Sequence, residues 1–187
     1  MLFSFTGCSG SGKTTLGKFL EENYLITYKE VSARPFLEDL NKSYDEQMTD
    51  KIQNRIMYGN LEMVYENLIE SQKENIILSR CCIDVLAYAR ILKHGLDCEY
   101  LQEKTIKKLS DKMVILYTIP DFPLTDVDDK LRGMNEGVRQ NTDKAIFRIL
   151  EQLNIPHYTI SGNLLHRKEL LNEIMNKYNI CCRNDQG

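Results

Sequence analysis

The segment Gly7-Cys8-Ser9-Gly10-Ser11-Gly12-Lys13-Thr14 constrains this chain more than any other stretch in it. The short apolar run 2–6 precedes it and has the character of a buried strand. Thr15-Leu16-Gly17-Lys18-Phe19-Leu20 follows and reads as the opening of a helix. A glycine-rich loop between a buried strand and a helix curls its backbone N–H groups around a phosphate. The helix N-terminus adds a dipole that favours the anion. Lys13 is placed to reach the β- and γ-phosphates, and the Thr14 hydroxyl to join a Mg²⁺ shell. The expected ligand is a nucleoside triphosphate, contacted by Gly7, Cys8, Ser9, Gly10, Ser11, Gly12, Lys13, Thr14 and Thr15.

The rest of the chain suits a single domain over 1–187, because 187 residues are enough to bury a substantial core. A formal charge of −3 supplies no global basic field for a nucleic-acid backbone, so a polynucleotide partner is less favoured. Apolar runs are too short to span a bilayer, and no signal-peptide pattern opens the chain. The expectation is a cytoplasmic protein with no membrane partner. The six cysteines form no CxxC pattern and are expected as reduced thiols. Cys8 reads as a small loop filler, with oxidation sensitivity as the alternative.

Strand-like runs at 2–6, 24–28, 75–79, 113–119 and 157–160 alternate with helical patterns at 49–72, 83–91, 136–153 and 163–178. Gly95 is placed to stop the second of these helices, and the tail 181–187 is expected to fray. This alternation predicts an α/β fold of three layers around a parallel, five-stranded sheet. Ligands of open parallel sheets sit outside the carboxyl ends of the strands, so residues just after each strand are the candidates.

Glu30, after the second strand, is a candidate base for an acceptor hydroxyl, and Arg34 a candidate clamp for an anionic group on the acceptor. The competing reading of Glu30 is a surface charge pair with Lys29. Ser79 ends the third strand, where a carboxylate supporting Mg²⁺ is usual, so either its hydroxyl or a carboxylate elsewhere must serve. Arg80 is a candidate contact to the transferring phosphate. Asp84 lies four residues on and is expected to share a helical face with it, contacting substrate or metal or orienting Arg80. The charged segment 120–148 is expected to be a lid carrying Arg132 and Arg139, which would neutralise the transferring group and exclude water. An Arg139–Asp143 pair on a solvated helix is the alternative. Gln53 is a candidate for a base edge. Ser161 and Gly162 form the turn after the last strand. Lys104, Lys107 and Lys108 make the only compact basic run and read as a solvated helix face.

Taken together, the chain resembles the small P-loop nucleoside and nucleotide kinases. It is similar to viral deoxynucleoside monophosphate kinases and to the ATPase domains that include nicotinamide riboside kinases. The resemblance rests on residues 7–15, on Arg80, Asp84, Ala87 and Tyr88, on Ile119-Pro120-Asp121-Phe122, on Arg132 and Arg139, and on Ile160-Ser161-Gly162. It implies ATP and Mg²⁺ as cofactors, an adenine near Ser161–Gly162 and a small nucleotide or nucleoside as acceptor. A deoxynucleoside monophosphate comes first because Arg34 would meet its charge. The alternatives are a nicotinamide riboside kinase, a polynucleotide kinase, or an ATP-gated regulatory switch with no acceptor. Viral origin would place the protein in a host cytoplasm. The long helix at 49–72 leaves a homodimer open.

Overall fold

A computed structural model describes residues 1–32, 50–92, 103–122 and 136–183. In chain order the elements are β1 (Leu2–Thr6), α1 (Lys13–Asn23), β2 (Thr27–Lys29), α2 (Asp50–Glu70) and β3 (Ile76–Leu78). They continue with α3 (Cys82–Leu92), α4 (Glu103–Ser110), β4 (Val114–Thr118), α5 (Glu136–Gln152), β5 (His157–Ile160) and α6 (Leu164–Lys177). The five strands form one parallel sheet in the order β2-β3-β1-β4-β5. The expected three-layer α/β fold is therefore the observed one.

The period-2 alternation of the strands sorts side chains onto two faces. Leu2, Ile76, Leu78, Ile115 and Tyr117 pack with Met57, Leu61 and Val64 of α2, Ile83 and Leu86 of α3, Ile106 of α4, and Ile146 and Ile149 of α5. Phe3, Phe5, Ile77, Leu116 and Ile160 pack on the opposite face with Leu16 and Leu20 of α1 and Leu171, Ile174 and Met175 of α6. Every residue of β1 is buried. Phe3 and Phe5 are fully enclosed, each contributing about 1.5–3 kcal/mol by its burial, so the strand feeding the loop is held from both sides.

Several boundaries differ from the sequence expectation for local reasons. The second strand begins at Thr27 and not at 24, because Tyr24 closes α1 through its N–H to the Leu20 carbonyl and bridges to Cys182. That bridge, with Leu25 N–H donating to the Cys181 carbonyl and Arg183 Nε donating to the Glu21 carbonyl, ties down 181–183, which were expected to fray. The remaining residues 184–187, like Gly95, lie outside the described residues. The basic run is indeed helical. Ile106 and Leu109 of α4 point inward while Lys107 bonds to Asp111 and to the Asn154 carbonyl. Residues 136–148, the C-terminal part of the expected lid, form most of α5. That helix buries Arg139, Thr142 and Ile146 against the body of the fold.

Candidate active site

Because β1 is the central strand, the loop leaving it opens at the middle of the sheet's carboxyl edge. The β1–β4 register sets Thr6 beside Tyr117 and thereby brings the Thr118 carbonyl against Gly7. A Cβ on Gly7 would lie 2.6 Å from that oxygen, and its φ of +151° also resists side chains, so only glycine fits. Gly12, at φ +89°, precedes α1 and lets the loop turn into the helix. Lys13 is 6% exposed and folds back across the loop. Its ammonium donates to the Gly7 carbonyl at 2.7 Å, the Cys8 carbonyl at 2.6 Å and Ser11 Oγ at 3.2 Å.

A cleft of about 860 Å³ opens above this loop. Residues 9–16 form its floor, including Ser9, Gly10, Ser11, Gly12, Lys13, Thr14 and Thr15. Gly7 and Cys8 lie behind it. Cys8 is fully buried, and burial pushes its thiol up to about 11 despite the opposing pull of Lys13 and Arg139. A thiol this far from ionisation is a filler and no redox trigger.

On the β2–β3 side the cleft wall carries Glu30, Val31, Ser32, Ser79 and Arg80. Lys29 pairs with Glu70, so it is not the partner of Glu30, which faces the cleft instead. Arg80 stands over the Tyr88 ring, with its guanidinium carbon 5.9 Å from the ring centroid. Ser79 is tied to the segment after β2. Its hydroxyl accepts from Val31 N–H at 2.9 Å and donates to the Val31 carbonyl at 3.2 Å. These bonds hold the segment after β2 in place.

Asp84 is located differently from the expectation. Arg80 and Cys81 precede α3 and are not helical, so the four-residue spacing does not place Arg80 and Asp84 on one face. Asp84 is 1% exposed and sits behind the loop, outside the cleft wall. One carboxylate oxygen accepts from Gly7 N–H at 3.2 Å, and the other reaches back to Cys81 N–H at 3.0 Å, closing the first turn of α3. It is a joint between the loop and α3 and does not line the cleft. Asp84→Ala strands two buried amides and should cost about 2–4 kcal/mol in urea unfolding. A loss below about 1 kcal/mol would show that the joint is dispensable.

On the β4–β5 side the wall is built around an arginine that the sequence reading missed. Arg167 of α6 is 2% exposed. Its Nε donates to the Gly162 carbonyl at 2.8 Å, one terminal nitrogen to the Ser11 carbonyl at 2.8 Å, and the other to the Ile119 carbonyl at 2.6 Å and to Asp121. Asp121 also accepts from Gly162 N–H, so the turn after β5 and the end of β4 are joined. Arg139, expected on a lid, is 1% exposed and absent from the cleft wall. It pairs with Glu136 at 3.2 Å and donates to the Phe122 carbonyl at 2.8 Å and the Gly10 carbonyl at 3.5 Å. Asp143 bonds to the Tyr117 hydroxyl at 2.9 Å in place of the alternative pair with Arg139. Desolvation raises both Asp143 and Tyr117. The Phe122 ring stacks with both guanidiniums, 5.6 Å from Arg139 and 4.9 Å from Arg167. Gly162 lines the cleft, whereas Ser161 does not. Arg34 and Arg132 lie outside the described residues, as does the side chain of Gln53.

The donor set fits a nucleotide phosphate with magnesium. Lys13 already holds three oxygens at the floor, and Thr14 presents its side chain to the cleft. Among the described residues no group of three His, Cys, Asp or Glu side chains could cage an ion. Magnesium, which keeps several waters and binds through few protein oxygens plus phosphates, needs no such cage. No helix among the described residues is long and apolar enough to cross a membrane.

Solved structures share this fold. A NadR protein in complex with NAD and AMP-PNP superposes with a TM-score of 0.70 at 20% identity, over 96% of this chain and 50% of that one. This chain thus spans about half the length of that protein. Shikimate kinase from Acinetobacter baumannii, in complex with shikimate, gives 0.57 at 15% identity, with 95% and 92% covered. Deoxyadenosine kinase from M. mycoides with bound dATP gives 0.54 at 18%, with 96% and 99% covered. The fold is that of the P-loop kinases. An AAA domain model matches residues 2–167, nearly the whole of the chain described above, and the protein belongs to that family.

Proposed function

We propose that the cleft transfers the γ-phosphoryl group of ATP to a small nucleotide-type acceptor, with a deoxynucleoside monophosphate as the first candidate. One observation carries the reading. The phosphate-binding floor and two groups suited to an acceptor, Glu30 and Arg80, line the same cleft. The strand order puts Glu30 and Arg80 on the β2–β3 side of the floor, and Asp121, Phe122 and Gly162 on the β4–β5 side. The donor nucleoside then lies towards β4–β5 and the acceptor towards β2–β3.

Lys13 holds the donor phosphates and balances charge as the bond to the leaving β-phosphate oxygen breaks. Thr14 is the protein oxygen available to magnesium, whose charge offsets that of the phosphates. Glu30 orients the acceptor and takes its proton where it has one to give, while the acceptor oxygen bonds to phosphorus. Arg80 offsets charge on the equatorial oxygens. The monophosphate preference rests on Arg34, which would pair with the acceptor's own phosphate.

Glu30 itself favours a second reading, a nucleoside with a free hydroxyl, such as nicotinamide riboside. A hydroxyl needs a base, whereas a phosphate dianion does not and would be repelled by a carboxylate. Mg²⁺-dependent ADP release against deoxynucleoside monophosphates, nucleosides, nicotinamide riboside and oligonucleotides separates the cases. Stimulation by monophosphates supports the first reading, and stimulation by nucleosides the second. Equal slow hydrolysis with every acceptor would replace both with an ATP-gated switch.

A further inference from the structure

A hydroxyl that gives a lone pair to a cation must send its proton to some other acceptor. In this cleft Thr14 is the hydroxyl in question, and the end of β3 offers it no carboxylate. Ser79 stands there, with its own proton committed to the Val31 carbonyl and a lone pair to Val31 N–H. Asp84 stands outside the cleft wall, bonded to Gly7 and Cys81. The Thr14 proton needs an oxygen nearer at hand.

Tyr28 supplies one. Its hydroxyl oxygen is buried and has no hydrogen-bond partner among the described residues, which is costly for a phenol in a protein interior. The side chain reaches this position because α1 carries glycine at position 17. A Cβ there would lie 2.3 Å from the Tyr28 ring, so the ring lies directly on the helix backbone. Thr14 and Gly17 are three residues apart in α1 and share a face, which directs the ring's approach to the turn that bears Thr14. The backbone of Tyr28 is fixed from both sides, through its pairing with Ile77 and its N–H bond to Glu21 at 3.0 Å. Desolvation raises the phenol above its ordinary range, with the Thr14 and Ser79 hydroxyls close enough to oppose that shift. A phenol hydroxyl keeps lone pairs to accept with.

We propose that Tyr28 is a positioning residue for the metal side of the bound nucleotide: its hydroxyl accepts the Thr14 proton and turns the Thr14 lone pair towards the cation. The proposal rests on the ATP–magnesium reading above. It assigns to a phenol on β2 the work that a carboxylate after β3 would otherwise do.

Tyr28→Phe tests it by removing one oxygen. Because that oxygen has no partner among the described residues, a purely structural view predicts an unchanged or higher Tm and no change in ligand binding. The measurement is calorimetric titration of wild type and Y28F with β,γ-imido-ATP, once with Mg²⁺ and once with EDTA, alongside a melting curve. The expected result is an affinity lowered about tenfold with Mg²⁺, equivalent to about 1.4 kcal/mol. Binding in EDTA and the Tm should not fall. Unchanged binding with Mg²⁺, or equal weakening in both conditions, overturns the proposal, as does a fall in Tm that accounts for the loss. Wild-type protein that binds in neither condition overturns the nucleotide reading itself, before the variant is considered.

Discussion

Lys13→Ala should lower ATP-dependent phosphoryl transfer by about 10³-fold or more while leaving the chain folded. The Lys13 ammonium bridges the Gly7 and Cys8 carbonyls and Ser11 Oγ, which draws the loop around it. On the proposed reading the same charge would serve the phosphates of a bound nucleotide, and among the described residues no other lysine lines the cleft. Removing it also leaves the two carbonyls without their donor, so a modest fall of about 1–2 kcal/mol in stability should accompany the kinetic loss. Steady-state ADP release and urea unfolding on the same preparation measure the two effects. A variant that retained near wild-type turnover would mean that the loop is not where the chemistry occurs.

Arg167→Met should be the most destabilising single change at the site, at about 3–5 kcal/mol. It strands the carbonyls of Ser11, Ile119 and Gly162 together with the Asp121 carboxylate, and removes one of the two guanidiniums stacked with Phe122. Arg167→Lys should recover only a minor part. A point-like ammonium cannot span acceptors on three different segments as a planar fork does. Denaturant midpoints of the three proteins decide it. Full recovery by lysine would show that charge alone, and not geometry, is what the site requires.

The fold could be read from the sequence because its signals are local. The glycine spacing at 7–12 and the alternation along 2–6 need no knowledge of what lies far away in the chain. The placement of the site's arginines does need it. In sequence, Arg167 and Lys168 look like two equivalent charges on a surface helix, yet Arg167 is buried and Lys168 is not. A usable signal was present. Arg167 falls on the stripe of Leu171, Ile174 and Met175, and Arg139 on the stripe of Thr142, Ile146 and Ile149. An arginine at helical spacing within a buried stripe needs polar acceptors inside the protein, and here loop carbonyls supply them. The sequence reading instead treated Arg139 as a mobile lid charge and passed over Arg167. Asp84 was misplaced for a related reason: the spacing argument assumed that the helix had already begun at Arg80. Arg34, Arg132 and the side chain of Gln53 lie outside the described residues.

The clasp of Arg139 and Arg167 on the phosphate loop also orders events in time. Within this domain the loop comes early in the chain, but two of its carbonyls, Gly10 and Ser11, wait for side chains encoded more than 120 positions later. The strand that anchors it waits for β4, and the end of α1 is further tied down by the bridge of Tyr24 to Cys182. Contacts of such long sequence separation form late and slow the search for the native state. The motif most easily recognised in the sequence thus depends on contacts drawn from across the domain, and competence to hold a phosphate is a property of the completed domain.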